Sequence, residues 1–369
     1  MLVLPILAAN SVQATGHGPQ AAADQAASLK PQAVLDQGKA DWFAIRTKTA
    51  EQELIAATAD IATAPEAHYW LGRIYEFKGS AEGVFPGFHE EVAYRSRAAA
   101  EFTAAGTAKP EWIAAADKFA NDLKAADAAL AKLQSDPDSS AAALRAAIEA
   151  RITLRPDPMA HSAGANILLA RNQDLPFVLR LATDGKAAGE QFIRENESSY
   201  KLGGKVQASL DRNAATFADI SGWALFLQGD ISAAEQRLAE AARLFRNNDI
   251  NNQMHLAELS ARRGDRAAAE DHYLNVMDLA YSPDARPQSM RAQLALFELR
   301  ATTGESADES KAWLSEMLDR KRQQRRAALL SDLQGRELPP LVLKDLQGND
   351  VDLRAQHGNV VLLNFFAAW

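Results

Sequence analysis

The feature that most constrains this chain is a dipeptide that returns at a helical-repeat interval: Gly229-Asp230 recurs as Gly264-Asp265, 35 residues on, and Ala234-Glu235 recurs as Ala269-Glu270. A helix-like segment precedes each Gly-Asp, Trp223 to Leu227 in one copy and His255 to Leu259 in the other. A second follows it, through Leu238, Ala241 and Leu244 or through Tyr273, Val276 and Leu279. A chain that alternates helix, tight turn and helix leaves an apolar face on each pair that only the next pair can cover, so such units must stack. Roughly one residue in five is alanine, against 20 glycines and 7% aromatics, which suits helices packed closely through small side chains.

A looser third copy runs through Leu294, Leu296, Phe297 and Leu299 to Gly304, 40 residues after Gly264, with Ser282-Pro283-Asp284 to Pro287 as the insertion. An earlier candidate is Tyr69-Trp70-Leu71-Gly72-Arg73-Ile74-Tyr75, ending at Gly79. Helix breaks are expected at Asp136-Pro137-Asp138 and Arg155-Pro156-Asp157-Pro158, dividing a degenerate middle of the same array. Helix, Gly-containing turn and helix at a period near 34 resembles the tetratricopeptide repeat. The resemblance implies a solenoid over residues 36–330 whose concave face takes protein or peptide partners; one sequence leaves its contact residues, its repeat number and its oligomeric state open.

The helical period stops at Gly335. Leu338-Pro339-Pro340-Leu341-Val342-Leu343-Lys344-Asp345, a Leu346-Gln347-Gly348-Asn349-Asp350 turn and Val351-Asp352-Leu353 read as a β-hairpin. Val360 to Phe366 is a continuous apolar run suited to a central strand buried on both faces. This stretch, closing with Asn364-Phe365-Phe366-Ala367-Ala368-Trp369, resembles the start of the TlpA/ResA branch of the thioredoxin-like family over about the last 35 residues. The fold class expected is therefore mainly α: a tetratricopeptide-like helical-repeat array followed, over residues 331–369, by an incomplete thioredoxin-like α/β domain comprising a hairpin and the first central strand.

In that family the strand leads through Ala-x-Trp to Cys-x-x-Cys, so the resemblance places Ala367, Ala368 and Trp369 beside a redox site that would follow Trp369. There a helix N-terminus lowers the first cysteine's pKa, its thiolate attacks a substrate disulfide, and the second cysteine resolves the mixed disulfide. This chain holds no cysteine and so has no thiol chemistry of its own. The implied parent is an exported thiol–disulfide oxidoreductase needing no cofactor. The alternatives are a non-catalytic repeat scaffold and a peroxiredoxin-like protein, the last disfavoured because a proline and a threonine would usually precede its cysteine.

The N-terminus bears on compartment. Leu2 to Ala9 is a short apolar run and Val12-Gln13-Ala14 fits the small-residue cleavage rule, so residues 1–14 read as the remnant of a secretory signal, though without a basic n-region. Residues 15–35 read as a flexible leader. A periplasmic or otherwise extracytoplasmic location follows. No stretch approaches a membrane span.

Other features carry less. A net charge of -8 gives nucleic acid no general attraction, and the basic run Arg320-Lys321-Arg322 with Arg325-Arg326 reads as a solvated face in the last turns of a helix. His89-Glu90-Glu91 lacks the second histidine of a zinc H-E-x-x-H, since position 93 is Ala93. The remaining histidines form no ligand spacing and read as surface or capping residues, although His255 and His272 could approach each other on adjacent helices. The loop Gly79 to Phe88 is long for a helix-pair array, so Phe85 and Phe88 are candidate partner contacts as well as candidate packing residues. Nucleotide-binding and serine-hydrolase motifs are absent.

Overall fold

A computed structural model describes residues 30–79, 88–195, 205–280, 282–333, 342–344, 347, 349–352 and 355. Among these the chain is mainly helical, with fourteen α-helices and one two-stranded antiparallel sheet. It divides into two compact units, residues 1–279 and 280–369, a division that lies ahead of the change of pattern at Gly335. The apolar run 360–366, Ala367, Ala368 and Trp369 lie outside the described residues, as do the signal-like segment and Phe85.

The first unit carries α1 (Pro31–Phe43), α2 (Thr47–Ala57), α3 (Ala64–Lys78), α4 (Phe88–Ala105), α5 (Pro110–Ser135) and α6 (Ala141–Leu154). It continues through α7 (Pro158–Ala170), α8 (Leu175–Glu195), α9 (Lys205–Gln228), α10 (Ile231–Phe245), α11 (Ile250–Arg262) and α12 (Arg266–Leu279). The first described helix starts at Pro31, inside the leader expected to run to residue 35; proline at the first helical position forfeits only an N–H that has no intrahelical partner. The helix breaks expected at Asp136 to Asp138 and at Arg155 to Pro158 are the turns after α5 and α6.

The Gly-Asp turns do two jobs with two residues. Gly229 and Gly264 sit at φ of +87° and +77°, where a side chain is strained, and this reverses the chain out of α9 and α11. Asp230 N–H then donates to the Leu225 carbonyl at 3.0 Å, and Asp265 N–H to that of Ser260 at 2.9 Å, satisfying carbonyls the helix leaves open. Each aspartate next accepts from the N–H three residues on, Ala233 or Ala268, both at 3.1 Å, and so caps the following helix.

Helix pairs close on glycine. A methyl group at Gly222 would lie 2.7 Å from Leu238 Cγ, and one at Gly38 would lie 2.9 Å from Leu54 Cγ. In both α9/α10 and α1/α2 the glycine precedes its leucine by 16 residues, and both leucines are fully buried. The first and the later helix pairs thus share one packing device. Three apolar clusters result: one built by α1 to α4 around Trp70, one by α6 to α9 around Leu144, Ile148 and Leu168, and one by α10 and α11 around Leu238.

The second unit contains a 3₁₀ turn at Pro283–Ala285, α13 (Arg286–Ala301), α14 (Ala307–Leu333), β1 (Val342–Lys344) and β2 (Asp350–Asp352). Gly304, at φ +83°, turns the chain between α13 and α14, as the third repeat copy anticipates. Because Ala327, Ala328 and Leu330 keep the helix going to Leu333, the basic run lies more than a turn inside α14 rather than in its last turns. Arg320 pairs with Glu316 at 2.8 Å and Arg322 with Asp319 at 2.9 Å along the exposed surface. The expected hairpin forms with Val342, Leu343 and Lys344 opposite Asp352, Val351 and Asp350. Lys344 pairs with Asp350 across it.

Candidate partner-binding site

The helix that shapes the site is α5. Over its 26 residues the partly or fully buried apolar positions are Trp112, Ala116, Phe119, Leu123, Ala126, Leu130 and Leu133, a three-four alternation along one stripe. Only Trp112 is fully withdrawn from solvent. Its indole joins the first cluster, 5.8 Å from the Tyr69 ring, and Ala116 packs beside it. At the other end Leu130 and Leu133 pack on the second cluster. The helix therefore bridges two cores, and its middle, ~16 Å long between Phe119 and Leu130 at 1.5 Å per residue, spans the interval between them.

A groove of about 500 Å³ opens along that middle. The end of α1 supplies Trp42 and Phe43, α3 supplies Trp70, Arg73, Glu76 and Phe77, and α5 supplies Phe119, Leu123, Lys124 and Asp127. Arg155, in the turn after α6, completes the wall. The rings meet mostly by edge: Trp42 and Phe77 centroids are 5.4 Å apart at 73°, and Phe43 and Trp70 are 5.5 Å apart at 80°. Phe119 packs on Phe43 with ring centroids 4.5 Å apart, and the Arg155 guanidinium sits 5.6 Å from the Phe77 centroid. Such a surface combines aromatic edges and faces with charge at the rim, the composition of a recognition site.

The rim charges are partly spoken for. Arg73 holds Glu76 at 2.9 Å, and Arg151 holds Asp127 at 2.6 Å and Asp157 at 3.1 Å. Lys124 is exposed and makes no ion pair among the described residues. The chain has no cysteine, and among the described residues no cluster of histidine and acidic side chains is arranged to hold a metal. The arrangement can bind.

Elsewhere in the first unit, α2 is tied to a part distant in sequence. Glu195, the last residue of α8, accepts from Thr49 N–H at 2.9 Å and from the Thr49 hydroxyl at 3.0 Å, capping α2 across 146 residues. Beside this clasp Asp41 is 2% exposed and pairs with Arg46. Burial, the hydrogen bond its protonated carboxyl donates to Asp41 and the Asp41 charge push Glu53 up to about 8, so it holds its proton at neutral pH.

The histidines expected near each other bind different partners. His255 Nδ1 lies 3.1 Å from both oxygens of Asp219, its ring stacked on Trp223 at 4.3 Å and 11°. His272 Nδ1 meets Gln253 Oε1 at 2.9 Å. Asp219 also accepts from Asn252 at 2.8 Å, so this network pins α11 to α9. It resembles half of a catalytic triad, yet Ser221, two residues on in α9, spends its hydroxyl on the Phe217 carbonyl at 2.7 Å.

Of the residues singled out in the sequence, Phe88 opens α4, with its side chain outside the described part, and Phe85 also lies outside it. Of the groove residues, Trp70, Arg73 and Arg155 stand out in the sequence only as repeat and helix-break positions, and none as a binding candidate. Their signal was available in the unbroken spacing of Trp112 to Leu133, which belongs to a seam longer than one repeat needs. No helix among the described residues is long and apolar enough to cross a membrane. No family model matches the chain, and no curated protein matches it.

Proposed function

We propose that this chain is the partner-binding part of an exported thiol–disulfide oxidoreductase of the TlpA/ResA kind, its helix pairs of tetratricopeptide type recruiting proteins for a thioredoxin-like domain that starts near residue 331. The binding half of the reading is carried by one observation: an aromatic groove of about 500 Å³, open to solvent, held between the end of α1, α3 and the middle of α5. That volume lies in the range of sites that take a ligand or an anchoring side chain. Shared Gly-Asp turn geometry at Gly229 and Gly264 supports the repeat assignment. The redox half rests on the resemblance of residues 335–369, with which the β1/β2 hairpin is consistent. The signal-like Leu2 to Ala14 supports export.

The test is to read the coding sequence beyond Trp369 and to assay its product for insulin-disulfide reduction. A Cys-x-x-Cys and thiol-dependent turnover support the oxidoreductase. A cysteine-free continuation leaves a helical scaffold, the reading favoured for the 369 residues taken alone because they contain no thiol.

A further inference from the structure

We propose that the groove takes an extended acidic peptide segment, one aromatic side chain packing onto the Phe43–Phe119 and Trp42–Phe77 ring pairs while a neighbouring carboxylate meets Lys124. The inference rests on the reading of this groove as a partner site and names the chemistry of its occupant.

Shape selects the first element. The wall rings pack in touching pairs, Phe43 on Phe119 at 4.5 Å and Trp42 on Phe77 at 5.4 Å, so an incoming ring meets the outer edges and faces of these pairs. About 500 Å³ holds one such side chain with its neighbouring backbone, and is too small for a packed helix of ~10 Å diameter. The groove lies at the surface beside the exposed residues Arg73, Lys124 and Asp127, so a polypeptide can continue out of it.

Charge selects the second. Three cations line the groove against two carboxylates, although the whole chain carries -8. Glu76 is already held by Arg73 and Asp127 by Arg151, which leaves the Lys124 ammonium exposed on a wall next to Leu123 and Phe119. A basic guest would place like charge against Lys124 and Arg155, and a neutral one would forgo the pairing.

The experiment uses the 369-residue chain and an end-blocked, fluorescein-labelled heptapeptide of serine and glycine with a central tryptophan flanked by glutamates, read by fluorescence polarisation. Saturable binding is expected, weakened about threefold at low salt by Lys124→Glu, the size of one exposed ion pair. Phe119→Ala, checked for intact helicity, is expected to weaken it about tenfold by removing a ring of the wall. A lysine-flanked peptide should bind worse than the glutamate form and recover on Lys124→Glu. If a glutamine-flanked peptide binds as tightly and Lys124→Glu is without effect, the acidic specificity falls while the groove reading stands. If neither peptide binds folded protein saturably, both fall. Indole-3-acetate binding as tightly as the peptide would overturn the commitment to a polypeptide.

Discussion

Raising the pH should loosen the first unit through Glu53, and the size of the effect follows from where that carboxyl sits. Glu53 lies on α2 facing buried Asp41, with Arg46 beside them and Glu195 approaching from α8. Its ordinary value of 4.5 rises to about 8 in the folded chain, chiefly from burial and then from Asp41. Between these values the folded state holds a proton the unfolded chain has released, so the contribution is fully present below 4.5 and is lost as pH rises through 8. At 1.36 kcal/mol per tenfold the span sets a ceiling of about 5 kcal/mol, and partial solvent access reduces it to about 2 kcal/mol. Only Arg46 opposes the change, and it already serves Asp41, so an ionised Glu53 faces two carboxylates. Thermal unfolding followed by far-ultraviolet circular dichroism from about pH 5 to about pH 9 should show the midpoint falling by ~5 °C, given ~2 to 4 °C per kcal/mol for chains of this order. Glu53→Gln, which keeps the hydrogen bond without a titrating proton, should flatten the upper part of the profile. Parallel profiles for the two proteins would refute the assignment.

Three further outcomes follow from the packing. Gly222→Ala should destabilise the first unit by about 1 to 3 kcal/mol in urea titration, since the added methyl meets Leu238 at 2.7 Å, although alanine is the better helix former; a stabilised variant would mean that α9 and α10 can move apart without loss. Glu195→Ala should cost about 1 kcal/mol and raise amide exchange at Thr49, because the cap of α2 comes from no nearer residue in the described part; unchanged exchange there would show that the clasp is not kept in solution. Asp219→Ala strands both Asn252 and His255 near a fully buried stretch of α11 and should cost about 2 to 3 kcal/mol, with Asp219→Asn milder; equal stability of the alanine variant would remove the case for a pinning network.

What the sequence displays of this fold is mostly local. A glycine that must take positive φ and an aspartate that caps the next helix are adjacent, so the turns at Gly229 and Gly264 can be found by eye, and the Leu346 to Asp350 turn marks its hairpin in the same way. Alanine-rich α5 and the glycines inside helices show less. Gly38 and Gly222 read as weak points of a helix until the partner leucine 16 residues on is known, because the reason for them is a contact rather than a propensity. The pairing of His255 with Asp219 and of Thr49 with Glu195 joins residues 36 and 146 apart, and no local pattern announces either.

The groove belongs to this second kind of information, yet its cause is simple. The apolar stripe of α5 is about three heptads long; among the described residues the first cluster covers it near Trp112, the second near Leu133, and Phe43 packs on Phe119 between them. A helix that continued the array in the ordinary way would bury the whole stripe against its sequence neighbours. Instead, Phe119 and Leu123 face the open space between two cores, and aromatic side chains from α1 and α3 face the same space. Leaving that much apolar and aromatic surface partly wet opposes folding by ~25 cal/mol for each Å² that stays exposed. A single leucine there in place of Lys124 would extend the apolar stripe at little conformational cost. The position holds a cation instead, and its exposed ammonium beside Leu123 and Phe119 gives the groove a preference for an anionic guest.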